Sequence, residues 1–426
     1  MNRVTENVIY VGVNDYDIDL FEGQYPVPEG MSYNSYVLLD ERIAVMDTVD
    51  GRKTAQWLAN VEQALHGRKP DYLIVQHMEP DHSASIDAFW RRYPDVIVVG
   101  NARTFMMLGQ FFPKLKVCTT CNATADDAES AREGVRALTV KDGEQLRLGR
   151  HALQFLFAPM VHWPEVMMTY EASEKILFSA DAFGRFGALK TVQQRCPEDH
   201  WTGEAARYYF GIVGKYGAQV QAVLKKAAAL DIGKICPLHG PILEGNLRHY
   251  LEKYHIWSSY EPEKIGVCIC YSSIYGHTAE AVHLLTELLQ EAGEELVCYD
   301  LARCDMSEAV KNAFLYDRLV VVSVTYNGSI FPHMKTFLNA LEERGFCRRR
   351  VGFMENGSWA PMANKIMQNT IQNWKNITFI EPTVTIRSAV NEEAAAQIKA
   401  LAAALRVTEE TGGSASDGAR CRAGSA

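Results

Sequence analysis

Gln76-His77-Met78-Glu79-Pro80-Asp81-His82 follows directly on the apolar run Tyr72-Leu73-Ile74-Val75. The run reads as a buried strand, and Pro80 argues against a helix continuing through the segment. In an extended chain residues two apart face the same way, so His77, Glu79 and Asp81 converge on one side with His82 beside them. Two carboxylates ~4 Å apart repel by about 4 kcal/mol even at an effective dielectric of ~20. A multivalent cation removes that repulsion and gives the imidazoles a role. The plainer reading makes Asp81 the N-cap of a helix through Ser83-Ala84-Ser85-Ile86-Asp87-Ala88-Phe89-Trp90, with solvated neighbours.

Ahead of this stretch, Asn7–Val11, Tyr33–Leu39 and Ile43–Asp47 read as strands, the last two joined by a hairpin at Asp40-Glu41-Arg42. Thr54 to Leu65 has helical spacing, with Trp57, Leu58, Val61 and Leu65 on one face. Beyond it, three apolar segments lead to a possible ligand: Phe155–Val161 to His162, Ile176–Ala180 to Asp181, and Ile235–Leu238 to His239. Singly, each is more simply a hydrogen-bonded polar residue. Four strand ends of one chemical type, where loops gather into a site, point to a metal centre.

His77-x-Glu79-x-Asp81-His82, His162-Trp163-Pro164, Ser179-Ala180-Asp181-Ala182-Phe183-Gly184 and His239-Gly240-Pro241 together resemble the ligand set of the flavodiiron proteins. The resemblance implies an N-terminal metallo-β-lactamase-like αββα sandwich. It also implies two iron ions, one held by His77, Glu79 and His162, the other by Asp81 and His239, with Asp181 bridging and His82 a ligand in some members. Zinc hydrolases of that fold carry histidine at the position of Glu79, and an anionic oxygen there favours a harder metal.

After Trp257-Ser258-Ser259-Tyr260-Glu261-Pro262-Glu263-Lys264 the character changes. The strand-like run Ile265–Tyr271 enters Ser272-Ser273-Ile274-Tyr275-Gly276-His277-Thr278, followed by a helical face of Ala281, Val282, Leu284, Leu285, Leu288 and Leu289. Such a loop is either a capped strand-to-helix turn or a phosphate cradle built from backbone N–H groups and hydroxyls. It lacks both the dinucleotide glycine pattern and the Gly-Lys of nucleoside triphosphatases. Two further strands enter Thr325-Tyr326-Asn327-Gly328 and Glu355-Asn356-Gly357-Ser358-Trp359, at the edge where open α/β sheets bind ligands. Tyr326 and Trp359 offer planar faces, and Gly328 and Gly357 are expected to let backbone approach a flat ring. The three loops resemble those of flavodoxin, which implies FMN, with its phosphate in the first loop and its isoalloxazine between the other two.

The expected class is therefore α/β: a metallo-β-lactamase-like diiron domain over residues 1–256, a flavodoxin-like, doubly wound parallel sheet binding FMN over 265–406, and a disordered tail over 407–426. The family likeness implies reduction of dioxygen to water, or of nitric oxide to nitrous oxide. It further implies a head-to-tail homodimer setting one subunit's FMN beside the other's irons, with Trp359 near that junction, and a separate electron donor such as rubredoxin, because the tail holds only Cys421. The alternative is a zinc-dependent hydrolase with an attached flavodoxin domain. Two departures stand out: Cys118-Thr119-Thr120-Cys121 in a lengthened connection, either a redox pair or two incidental thiols, and Phe21-Glu22-Gly23-Gln24-Tyr25 where some members place a histidine near the metals. A net charge of −9 without a basic run excludes nucleic acid as a partner. No stretch is long and apolar enough to span a bilayer, and ten scattered cysteines suit a reduced cytoplasm.

Overall fold

The computed structural model describes residues 2–118, 134–189 and 198–406. Cys121 and the expected tail, 407–426, lie outside the described residues, as does the Cys118 side chain. The chain divides into two compact units, Met1–Glu261 and Pro262–Ala426.

In the first unit an eight-stranded sheet runs in the order Asn2–Arg3, Val8–Tyr10, Tyr36–Leu38, Ala44–Met46, Tyr72–Ile74, Ile97–Gly100, Val135–Thr139, Val117–Cys118. A six-stranded sheet runs Gln145–Arg147, Ala152–Phe157, Met167–Glu171, Ile176–Phe178, Lys234–Cys236, Leu243–Glu244. One buried cluster draws Tyr36, Met46, Ile74 and Val99 from the first sheet and Phe155, Met167, Phe178 and Cys236 from the second. The two sheets therefore share a core, as alternating inward residues require. Helix Thr54–Leu65 buries Trp57, Val61, Ala64 and Leu65, the face its 3.6-residue spacing dictates; Leu58 is only partly covered. The hairpin at Asp40-Glu41-Arg42 forms in the expected antiparallel register, Leu38 opposite Ala44.

Ala44–Met46, Tyr72–Ile74 and Ile97–Gly100 run parallel, as do Ile176–Phe178 and Lys234–Cys236. Their C-terminal ends thus open on one edge, and the segments carrying His77, Asp181 and His239 leave from there. The opposite edge is tied by polar groups from separate hairpins. Asp40 Oδ2 accepts the His151 N–H at 2.7 Å and lies 2.8 Å from His151 Nδ1, while Glu174 Oε1 accepts Asn7 Nδ2–H at 2.9 Å.

The second unit is a five-stranded parallel sheet in the order Leu296–Asp300, Lys264–Tyr271, Tyr316–Tyr326, Arg350–Asn356, Thr378–Ile386. In chain order this is 2-1-3-4-5, the doubly wound flavodoxin-like arrangement, with its switch point beside the first strand. Central strands are fully buried apolar runs such as Leu319–Val322, as sheets covered on both faces require. The last helix, Glu392–Leu405, is capped by Asn391, whose side chain accepts from Ala394 N–H.

Asp40 supplies a test of the rear clamp. Burial works against its ionisation, but the His151 and Glu41 N–H groups overcome this and bring its pKa from 3.8 down to about 2. A depressed carboxylate contributes stability above its unfolded pKa and loses it as pH falls towards the folded value. Asp40→Asn is expected to cost about 1–2 kcal/mol at pH 7, shrinking as pH falls below ~4. Urea unfolding across that range checks this, and a cost that stays constant down to pH ~3 contradicts it.

Candidate metal centre and flavin edge

Pro80 does not keep the segment extended; it starts a short helix, Pro80–Ser83, with Glu79 in extended conformation just ahead of it. Proline suits the first helical turn because its missing N–H has no partner there in any case. The turn has a consequence for the site. His77 and Glu79 point to one group and Asp81 to another, so the three side chains do not converge together. The plainer expectation fails as well, because Asp81 lies inside the first turn and Glu79 makes no capping hydrogen bond.

Two clusters result, His77–Glu79–His162–Asp181 and Asp81–His82–His239, each with its donor atoms within 4.8 Å of one another. In the first, Glu79 Oε2 lies 3.2 Å from His77 Nε2 and 3.0 Å from His162 Nε2. Asp181 Oδ2 lies 3.1 and 3.2 Å from the same two nitrogens. In the second, His82 Nε2 and His239 Nε2 are 3.0 Å apart, and Asp81 Oδ2 is 3.3 Å from each. Asp181 reaches this cluster with its other oxygen, Oδ1, at 3.4 Å from His82 and 3.6 Å from His239. One carboxylate therefore faces both clusters.

These spacings match the edges of a coordination shell, roughly 3.0 Å for an octahedron and 3.4 Å for a tetrahedron with bonds of ~2.1 Å. The buried oxygens of Asp81 and Asp181 have no hydrogen bond among the described residues, a costly state unless a cation meets them. Their electrostatics agree. Burial opposes the charged form of every group here. Even so, Asp181 is held well below the ordinary carboxylate range, first by the His77 charge, and Glu79 is held low by His162 and His77. His162 is pulled up to about 9 by Asp181 and Glu79, and His77 and His82 are raised too, chiefly by Asp181 and Asp81 respectively. Without metal the cluster draws in protons to balance its carboxylates, and a metal ion replaces them. The residues present fit two cations.

The sequence reading passed over several residues around this centre. Glu165, fully buried, lies 2.8 Å from His77 Nδ1 and accepts the Met78 N–H at 2.8 Å. Burial disfavours its ionisation, yet His77 keeps its pKa below the usual value. Asp47 accepts the Gln76 N–H at 2.7 Å and the Gln76 side-chain amide at 2.8 Å, and burial pushes its pKa up to about 6. Its signal was present in the sequence, since it ends the strand-like run Ile43–Asp47. Phe21, Tyr33 and Tyr208 pack their rings 5.3, 6.0 and 5.5 Å from the His239 ring. They close the second cluster with apolar surface. Glu22, at the exposed turn after Phe21, is raised to about 7 by desolvation and by Glu79, so this loop brings a carboxyl group towards the centre where the sequence showed no histidine.

At the second unit's C-terminal sheet edge, the first loop passes through Gly276 at φ +99° into helix His277–Glu291, which has no side-chain cap. Its leading N–H groups are those a phosphate would meet. Ser273 Oγ accepts the Gly276 N–H at 3.2 Å and the Ala279 N–H at 3.3 Å, while the buried Ser272 Oγ has no hydrogen bond among the described residues. Asn356 donates to Thr278 Oγ1 at 3.3 Å, Thr325 Oγ1 accepts the Met362 N–H at 2.9 Å, and Ser358 Oγ lies 2.8 Å from Ser388 Oγ. These hydroxyls and the amide thus tie the three loops together. Asn327 and Gly328, both at positive φ, form a tight hairpin turn. A Cβ on Gly357 would meet Pro361 Cα at 2.8 Å, whereas one on Gly328 would meet nothing. Gly357 is thus held by close packing against Pro361, and the face of Gly328 is open. Ile274, Tyr275, Tyr326 and Trp359 are exposed, Tyr275 of the first loop at 92% and Trp359 of the third at 90%, so these rings are not core packing.

A model of the ODP family beta lactamase matches residues 31–240. The chain is 26% identical to a nitric oxide reductase of Moorella thermoacetica, over 90% of this chain and 92% of that protein. Its fold is similar to that of rubredoxin oxygen:oxidoreductase from the anaerobe Desulfovibrio gigas, with a TM-score of 0.83 and 23% identity over 95% of this chain and 97% of the other. It is equally similar to the flavodiiron protein of Giardia intestinalis, with a TM-score of 0.84 and 24% identity over 94% and 96%.

If the loop at Gly276 holds a phosphate, its backbone must keep a conformation that β-branched residues avoid. Gly276→Val is expected to weaken FMN binding to the deflavinated protein at least about tenfold, or about 1.4 kcal/mol. Flavin fluorescence titration reads this directly, and a change below about threefold would count against the assignment. In fold, over nearly its whole length, the chain is similar to flavodiiron proteins of known structure.

Proposed function

We propose that the chain is a flavodiiron oxidoreductase that reduces dioxygen to water or nitric oxide to nitrous oxide. The observation that carries this reading is the pair of donor clusters sharing Asp181, with a carboxylate, Glu79, in the position where zinc hydrolases of the fold use histidine. The first domain, 1–256, would hold the metals through His77, Glu79, His162, Asp81, His82, His239 and Asp181; the second, 265–406, would hold FMN through its three loops. Two irons bound there would store one electron each and act as Lewis acids, and FMN would deliver two more.

The chain's own residues set the conditions for that chemistry. Asp181 holds both positions at a fixed separation, so that two substrate atoms meet at high effective concentration. Phe21, Tyr33 and Tyr208 keep water from the histidine side of the centre. Dioxygen needs four electrons and four protons to give two waters. Two molecules of nitric oxide need two of each to give nitrous oxide and one water. A small electron carrier of the rubredoxin kind would supply the flavin, by analogy with the rubredoxin oxygen:oxidoreductase of Desulfovibrio gigas. The cytoplasm is the proposed location, supported by Cys236, Cys268, Cys270, Cys298, Cys304 and Cys347, none of which forms a disulfide among the described residues; among the described residues no helix is long and apolar enough to cross a membrane.

Stopped-flow mixing of the chemically reduced protein with each gas tests the function. Flavin reoxidation by at least one gas is expected, slowed by about a hundredfold or more in Glu79→Ala and Asp181→Ala, alongside iron in the purified protein. Two zinc ions per chain and no reoxidation would favour a hydrolase instead.

We further propose a head-to-tail homodimer in which the exposed Tyr275 and Trp359 edge of one copy meets the metal centre of the other. Mixing a Glu79→Ala chain with a Gly276→Val chain is expected to restore up to about a quarter of wild-type turnover if FMN and metals work across subunits. Failure of every mixture to exceed its parents, despite exchange of subunits, would rule out that arrangement.

A further inference from the structure

The two donor clusters are alike in the groups that face the metal positions: two imidazoles, one carboxylate of their own and one oxygen of Asp181. They differ in what stands behind the imidazoles. His77 Nδ1 meets the carboxylate of Glu165 at 2.8 Å, while His239 Nδ1 meets the neutral backbone carbonyl of Ser32 at 2.7 Å. His82 Nδ1 is buried without a hydrogen bond among the described residues. Glu165 is also firmly placed. Its Oε1 accepts the Met78 N–H, its own carbonyl accepts the Asn101 side-chain amide at 2.5 Å, and Asn101 in turn caps helix Ala102–Phe111. Arg103 holds the Pro164 carbonyl at 3.0 Å from the same helix.

An anionic acceptor on Nδ1–H fixes the tautomer that presents Nε2 to a metal and makes that nitrogen a stronger donor than a carbonyl acceptor does. It also sets a carboxylate directly against an imidazole of that position, where His239 meets only a backbone carbonyl. Resting on the reading that both clusters bind metal, we propose that Glu165 is a positioning residue that makes the two positions unequal. The His77–Glu79–His162 position fills first and favours the more oxidised ion, and the Asp81–His82–His239 position fills second.

Metal-free protein retaining its FMN, titrated anaerobically with Co2+, tests this through the visible d–d bands and through calorimetry. The wild type is expected to take two equivalents in separate steps, the first at least about tenfold tighter. Glu165→Gln keeps an oxygen for His77 and Met78 but removes the charge. It is expected to weaken the first step about 10–100-fold and the second by less than about threefold, so that the steps merge. In the iron-loaded variant the lower of the two midpoint potentials is expected to rise while the other stays. Two unchanged steps in Glu165→Gln, equal weakening of both, or a single unresolved step in the wild type would overturn the proposal.

Should Glu165→Gln fail to fold, Asn101→Ala loosens the same loop without touching its charge. A several-fold weaker first step is expected there, and an unaltered one would be equally decisive against the idea. Because Co2+ reports the donor sets whatever gas is reduced, unequal filling with no gas reaction would sink only the functional reading. A chain that binds no Co2+ at all would sink both.

Discussion

A carboxylate with no solvent exposure is tolerable only where positive charge meets its oxygens, and Asp181 has imidazole nitrogens at 3.1–3.6 Å on both sides. None of those contacts is aligned as a hydrogen bond. An isolated buried carboxylate would neutralise itself by taking up a proton. Here the surrounding histidines drive it the other way, towards full ionisation. The fold must therefore deliver cations to this point, as protons on the rings or as metal ions between them.

The two-sheet architecture is what allows that convergence. Asp181 and His239 each stand three residues beyond adjacent parallel strands, Ile176–Phe178 and Lys234–Cys236, of the second sheet. His77 stands the same distance beyond Tyr72–Ile74 of the first. A shared apolar core fixes how the two sheets face each other, so side chains from distant parts of the chain are placed without help from their own loops. Unusual backbone collects where this placement is made: Asp47, Met160, Ala180 and Phe183, all near the ligands in sequence, have positive φ. Such conformations persist only where surrounding structure holds them.

Much of this was legible in the sequence, and the reasons are physical. A buried strand ending in a ligand leaves a double signal, an apolar run and an abrupt polar stop, and His77, Asp181 and His239 all carried it. His162 was found by the same rule although its strand ends at Phe157 and a loop intervenes. The division of labour within residues 77–82 was not legible. Pro80 is compatible with an extended chain or with a first helical turn, and only the packed structure selects the turn that swings Asp81 away from Glu79. Glu165 was invisible for another reason: it follows Trp163-Pro164 outside any regular element, and its importance comes from reaching His77, 88 residues away. In the three loops of the second unit, close packing at Gly357 and a tight turn at Gly328 demand glycine as readily as a ligand does, so residue type alone does not separate the two roles.

Glu165 also changes the charge balance of the centre. Glu79, Asp81 and Asp181 alone against two ferrous ions would leave one positive charge. A fourth carboxylate behind His77, its pKa held below the usual value by that ring, would offset that charge. Neutrality suits a site closed by Phe21, Tyr33 and Tyr208, where an uncompensated charge is expensive.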